Sequence, residues 1–543
     1  MMHAHWLAAV CALWLSSEPI FAAAPVLAPI TQQVLHHGNG PEPNSLDPHR
    51  AEGVSTSNIV RDLYEGLTAI SPKGEVVPGA AASWTVSADG RRYRFTLREQ
   101  LRWSDGSPLV AADFVAGLQR STTPATGNTF AQMLGAIDQA DAVLKGLRPP
   151  SALGVAAPDA QTVVITLAAP TPYLLGLLSH PSSFPIHRPS LARWGRDFAR
   201  PGRLVSNGAY RLKDWVVQSH VSLQRNPKYW DNAHTVVEQV VYHASEDINA
   251  ELKRYAADEF DSTYEIPLVQ ARAVQQRYGA ELRIAPYLGS YYYGFNLSKP
   301  PFKNNPKLRQ ALSMALDREV IVDKVMNGVA LPAYSFVPPG IWNYTPQQPA
   351  WADWPRARKL AQARRLYAEA GYSEANPLTV ELRYNTHDDH KRIALVAAAM
   401  WKQWLGVKTR LINEEFKVFL QNRKQHQVTQ LFRSAWISDY DDATSFLDLQ
   451  TSTHGRNDSV YRNASYDALL SEAAATTDIA ARRALLEQAE RMVLTDLPVL
   501  PIYTYVSKHL VKPWVAGWQD NSYDYHYSKD LQVLAHPQRG GTR

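Results

Sequence analysis

The chain has 543 residues, 45% of them hydrophobic and 20% charged, a length that exceeds one hydrophobic core and predicts several domains. Its net charge of +5 comes from interspersed acids and bases, with no basic stripe interleaved with aromatics, which argues against nucleic acid as a partner. The 26 Tyr and 15 Trp supply rigid contact area that suits ligand surfaces and ordinary cores alike.

In chain order, LAAVCALWL (7–15) is too short an apolar run to span a bilayer. The polar break SSEP and small residues IFAAAP follow it, so it reads as a secretory signal cleaved near Ala22–Ala24, although MMHAHW before it carries no Lys or Arg. Cys11, the single cysteine, lies in that run and leaves with it, so the mature chain is expected to have no disulfide. STSNIVRDLYEGL (55–67) predicts a helix begun by Ser/Thr, with Ile59, Val60, Leu63, Tyr64 and Leu67 on one side. RRYRFTLRE (91–99) alternates as a strand with Tyr93, Phe95 and Leu97 on one face; TVVITL (162–167) and QVVYH (239–243) are further strands. RIALVAAAMWKQWLGV (392–407) predicts a helix packed through Ile393, Val396, Ala397, Met400, Trp401 and Trp404 and ended by Gly406. KTRLINEEF (408–416) then alternates as a strand. Strands alternate with amphipathic helices throughout, without repeats or long linkers, which predicts an α/β protein of interleaved domains.

No HExxH, GxSxG, Walker A, GxGxxG or CxxC pattern occurs. HDDH (387–390) brings His387 and His390 to one helical face without an evident third ligand, and the pull of a helix N-terminus accounts equally for Asp388 and Asp389. Asp439, Asp441 and Asp442 share one turn, which suits binding or helix capping better than a glycosidase carboxylate pair. The expectation is a protein that is not an enzyme and needs no metal or cofactor.

Several stretches, in order, resemble the periplasmic oligopeptide-binding proteins of ABC importers, extracellular solute-binding protein family 5. They are NSLDPHRAEGVSTSNIVRDLYEGL (44–67), LRWSDGSPLVAADFV (101–115), SNGAYRLKDW (206–215), NPKYWDNA (226–233), YLGSYYYGFNLSKPPFKNNPKLRQALSMALDREVIV (287–322) and RSAWISDYDDATSF (433–446). The resemblance covers almost the whole mature chain. It implies a two-lobed periplasmic-binding-protein fold (type II, cluster C) with an extra inserted domain and a hinge between lobes that enclose the ligand. The implied divisions are a signal peptide at 1–24, first-lobe segments at 25–64, 190–288 and 507–543, the inserted domain at 65–189 and the second lobe at 289–506. The implied partners are short peptides and an inner-membrane ABC permease with its ATPase subunits; the implied state is a periplasmic monomer.

The resemblance also implies site residues. Asp439 matches the aspartate that pairs with a peptide's α-ammonium, a group that needs a carboxylate once out of water; DDATSFLDL reads locally as a helix start, so capping is the alternative, and Asp441 and Asp442 lie nearer that helix. Arg433 matches an arginine facing the peptide's carboxylate side, with a surface strand end as the alternative. Trp436 shares a cleft with Arg433 only if the strand ends or twists near Ser434, because residues three apart point to opposite faces. His390 matches a histidine near the C-terminal end of longer peptides, where it would lend positive charge. Glu52 and Val54 match loop positions whose backbone pairs with the peptide as an added strand. Tyr287 and Tyr292 lie where the chain enters the second lobe, with Tyr291 and Tyr293 on the opposite face from Tyr292; Tyr503 and Tyr505 lie where it returns. Phe416 and Met133 stand where relatives carry a tryptophan and an aromatic beside the ligand. Other departures are Gly289 and Ile437, in place of two bridging cysteines of some relatives, and Met326, in place of a lysine near Lys324. With STHGRND (452–458), the missing cysteines resemble the murein-peptide branch. The reading is therefore a peptide receptor, with a murein-peptide receptor second and a secreted hydrolase or chaperone-like peptide binder as the competitor from a different class.

Overall fold

The computed structural model describes residues 26–426, 429–438 and 440–536, with 416 and 417 described by backbone alone. Val34–Gly38 pairs in parallel with Gln239–His243, which continues antiparallel through His220–Arg225 to Tyr210–Val216. Two stretches of chain far apart in sequence thus share one sheet, and the residues between them build another: Ala81–Val86, Arg92–Leu97, Thr162–Thr166 and Val155–Ala156. Arg92–Leu97 buries alternate residues, with Tyr93, Phe95 and Leu97 inward as its pattern predicts. A continuous apolar core joins these sheets, running from Leu35, Val60 and Val240 to Phe95, Trp103 and Phe114.

The motif around Trp103 proves to be packing chemistry. Trp103 is buried, and its indole N–H donates to Asp113 Oδ2 at 3.3 Å. Asp113, in the first turn of the helix Ala111–Thr122, also accepts from Val110 N at 3.1 Å and from Arg188 Nε at 2.8 Å. A buried carboxylate with three donors is stable where a lone one is not.

The helix Val54–Leu63 starts and ends earlier than the sequence suggests. Gly53, at φ 82, sets its entry and no side chain caps it, so Ser55 and Thr56 sit inside the first turn. At its end, tertiary bonds replace helical ones. Leu63 O accepts from Gly208 N at 2.8 Å, and Asn207 holds both main-chain groups of Glu65, at 3.2 and 2.8 Å.

A six-stranded sheet runs Leu331–Pro332, Val499–Leu510, Leu282–Phe295, Leu431–Ile437, Thr379–Asn385, Lys408–Glu414. The helix Asp388–Leu405 packs on it through Ile393, Ala397 and Trp401, and Gly406 ends it in the left-handed region at φ 73. That helix begins five residues before the first residue of the apolar stripe, Ile393, because His387 caps it, its Nδ1 accepting from Asp389 N at 3.3 Å. The strands Leu282–Phe295 and Val499–Leu510 are long crossovers. They pair from Leu282↔Leu510 to Pro286↔Val506, and again from Ser290↔Thr504 to Gly294↔Val499, with the ladder interrupted between Pro286 and Ser290.

Candidate functional site

A cavity of about 250 Å³ lies where distant parts of the chain meet. Val54 and Arg61 reach it from the first helix, Phe130 and His180 from the inserted segment, and Tyr287 from the crossover strand. Trp436, Ile437, Ser438 and Arg456 close the opposite wall, and Tyr523 and Tyr525 the C-terminal side. Arg61 lies 3.7 Å from the Tyr525 ring centre and donates to Asn58 Oδ1 at 2.6 Å; Arg456 lies 5.0 Å from the Trp436 ring centre. Trp436 is held by its indole N–H, which donates to Ser445 Oγ at 3.2 Å.

The strand Leu431–Ile437 does not end or break near Ser434. Trp436 and Arg433 therefore face opposite sides, about 10 Å apart along the strand at some 3.3 Å per residue, so the condition for their sharing one wall is not met. Trp436 goes to the cavity; Arg433 goes to a ring of tyrosines. Its Nη2 donates to Tyr505 OH and its Nη1 to Asn385 Oδ1, both at 3.4 Å, and its guanidinium lies 5.0 Å from the Tyr291 ring centre. Tyr503 stacks on Tyr291 at 4.6 Å and meets Tyr505 edge-on at 5.1 Å. Among the described residues Arg433 has no carboxylate partner, and its buried Nε has no hydrogen-bond partner.

Tyr291, absent from the expected ligand set, is thus in the arginine's surroundings, while Tyr292 points the other way. Tyr292 is 7% exposed and packs edge-on to Phe336 at 5.3 Å, in a core with Leu288 and Phe446. Strand alternation separated these neighbours correctly but did not say which face carried the arginine. The pairing of Tyr293 with Arg433 across the two strands settles it.

His390 sits beside this ring, with Nδ1 3.4 Å from Tyr291 OH. Burial, helped by the Arg433 charge, pushes its pKa down to about 2, so it is neutral at pH 7 and does not supply the expected positive charge. The unfolded chain takes up a proton near the ordinary histidine value of about 6.5 and the folded one does not. This residue therefore subtracts stability as pH falls from there towards about 2. In an NMR titration from pH 8 to 5 the His390 imidazole should keep its neutral shifts; a midpoint near 6.5 would contradict this placement.

Asp439 lies outside the described residues. The acids after it have structural tasks. Asp442 accepts from Thr444 N at 3.0 Å, as expected of a cap, and binds Arg482 through both carboxylate oxygens at 2.7 and 2.8 Å. Asp441 accepts from Trp342 N at 2.7 Å, and burial raises its pKa to about 6. Tyr440 stacks on Tyr173 of the inserted segment at 4.5 Å, and Asp441 N donates to Tyr523 OH at 3.1 Å.

Val54 opens a helix instead of lying in an extended loop, so only Glu52 and Gly53 before it leave non-helical backbone for a peptide. Glu52 is exposed, and its N–H already donates to Asn44 Oδ1 at 3.0 Å. Met133 sits in the short turn Ala131–Ala136; from this segment it is Phe130, three residues earlier and tilted against His180 at 5.3 Å, that lines the cavity. Phe416 opens the helix Phe416–Gln425, and its side chain lies outside the described residues. Gly289 is the direct cross-strand partner of Ile437, whose side chain occupies the space a Cβ at 289 would need. Replacing both residues with cysteine should therefore yield a bridge under mild oxidation, since facing Cβ atoms of such a pair approach to about 4.5 Å, the upper end of the roughly 3.5–4.5 Å that a disulfide spans. With Cys11 removed the thiol count is clean; two free thiols persisting after oxidation would show the register to be wrong.

Comparison with known proteins agrees with this architecture. The family described as bacterial extracellular solute-binding proteins, family 5 (middle), matches residues 75–458. The periplasmic oligopeptide-binding protein OppA of Escherichia coli K12 is 40% identical over 522 residues, covering 95% of this chain and 95% of that protein. Among solved structures, the Escherichia coli murein tripeptide binding protein MppA superposes with a TM-score of 0.83 at 36% identity, covering 94% of this chain and 100% of that one. Haemophilus influenzae OppA, in complex with the peptide RPPGFSPFR, superposes at 0.80 and 34% identity over 93% and 99% of the two chains. No described helix is long and apolar enough to cross a membrane. The fold is the two-lobed one of these binding proteins, and the chain belongs to family 5 of the bacterial extracellular solute-binding proteins.

Proposed function

We propose that this chain is an exported receptor that closes its two lobes on short peptides and delivers them to an inner-membrane ABC permease. The observation that carries the reading is Arg433, a cation ringed by tyrosines with no carboxylate of the described protein beside it. Such a site favours an anionic ligand group, because a desolvated guanidinium gains most from a carboxylate in bidentate contact. A peptide's carboxylate meets that need, and Asp439, by its match to the family aspartate, meets the opposite need of the amino end. The cavity between Val54, Tyr287 and Trp436 gives room for part of the ligand backbone, while Arg433 meets the ligand on the other face of its strand. We divide the lobes at 288/289 and 506/507, at and beside the interruption of the crossover ladder between Pro286↔Val506 and Ser290↔Thr504, where a hinge bends at least cost. Relatives named for peptide binding support the reading, as does the secretory-type N-terminus.

A murein peptide is the second ligand class. It is favoured by the cysteine-free Gly289–Ile437 pair and by Arg456, which adds a guanidinium to the cavity wall. Native mass spectrometry of the protein as purified decides between the classes, since co-purified cargo reveals both its size and its chemistry. Intact cargo fits a receptor, and cleaved products fit a hydrolase. Arg433→Ala should weaken free-acid peptides by about 1.5–3 kcal/mol, the usual range for a hydrogen bond to a charged group, and leave C-terminally amidated ones nearly unchanged. Equal losses in calorimetry would remove Arg433 from this role.

A further inference from the structure

Three metal-competent side chains meet where the second crossover strand ends against the C-terminal segment. His509 Nε2 lies 2.8 Å from Asp524 Oδ1, and His526 Nε2 lies 3.2 Å from the same oxygen. One donor atom from each of the three lies within 4.8 Å of the others. Ligand atoms bound at about 2.0–2.2 Å around a tetrahedral ion stand about 3.3 Å apart, so small ring movements would seat one.

The surroundings orient the donors. His509 Nδ1 is 3.0 Å from Thr263 O, which can only accept. The proton is therefore on Nδ1, and in the neutral ring the Nε2 lone pair faces Asp524. A histidine whose second nitrogen donates to a backbone carbonyl is the usual outer arrangement of a metal-binding imidazole. The His526 ring lies flat on Trp518 at 3.7 Å, and His509 meets the same indole edge-on at 5.6 Å. Asn521 Oδ1 accepts from Tyr523 N and Tyr525 N at 3.1 and 3.2 Å, pinning the turn that presents Asp524. A cavity of about 50 Å³ opens on all three donors and is also lined by Asn39, Asn58 and Val54, enough for a water to complete the coordination.

We propose that His509, Asp524 and His526 form a binding site for one divalent transition metal ion of the zinc or nickel type. Two imidazoles and one carboxylate suit such ions and disfavour calcium or magnesium, which prefer oxygen ligands alone. The competing occupant of the same lone pairs is a proton, which would make the trio a hydrogen-bonded clasp.

The test uses tag-free mature protein stripped with a chelator, then titrated with zinc chloride and with nickel chloride by calorimetry and native mass spectrometry. One ion per chain and a raised melting temperature are expected. His526→Ala and Asp524→Asn should each raise the dissociation constant tenfold or more, whereas His387→Ala, in a histidine pair elsewhere in the molecule, should not change it. Circular dichroism checks that each variant is folded, and Asp524→Asn keeps size and shape should His526→Ala unfold. Absence of binding to the stripped wild type would overturn the proposal. So would unchanged affinity in both site variants, which would place the ion elsewhere.

Discussion

Asp439→Ala is expected to weaken binding of a short peptide with a free amino end by roughly 2–5 kcal/mol, the usual consequence of removing one member of a buried, hydrogen-bonded charge pair. The loss comes mostly from stranding the ammonium in a closed, poorly hydrated space, and should appear as faster dissociation. Asp439 is singled out because its neighbours are already engaged: Asp441 with Trp342, Asp442 with Arg482 and Thr444. Calorimetry with free and N-acetylated forms of one peptide checks it. Wild type should discriminate strongly between them and the variant hardly at all; equal affinities in wild type would end this assignment.

Arg482→Ala should cost about 3–5 kcal/mol of stability, because it leaves Asp442 buried without its partner. Both side chains are nearly inaccessible, and the double contact at 2.7 and 2.8 Å ties the helix Ile479–Asp496 to the loop beside Asp439. A lower urea midpoint is the first readout. The sharper one is the double variant Arg482→Leu with Asp442→Leu, which should be less destabilised than Arg482→Ala because no orphan charge remains. If the double variant loses more than the single, packing and not the ion pair dominates there.

Much of this was legible beforehand. Alternation placed Tyr93, Phe95 and Leu97 inward, and helical spacing with a terminal glycine gave the packed face and the end of the helix that carries Trp401. These features depend on local periodicity, which a core enforces. What escaped depends on how strands meet. Tyr291 and Tyr292 are equivalent in sequence, and only the pairing with Leu431–Ile437 decides which of them faces Arg433. Phe130 and Met133 share one short turn, and its orientation against His180 chooses the aromatic. The charge of His390 was misread because burial and a neighbouring cation set it, and neither is visible in a string of residues.

The stack of Tyr440 on Tyr173, and the bond from Asp441 to Tyr523, join halves of the molecule through the loop that also carries Asp439. On the proposed role of Asp439, cargo recognition and shutting share one short loop. An apparent dissociation constant then contains the binding-competent fraction of the empty receptor as a divisor. Two such proteins with identical cargo contacts can differ in how long they retain it, through aromatic residues that never touch it.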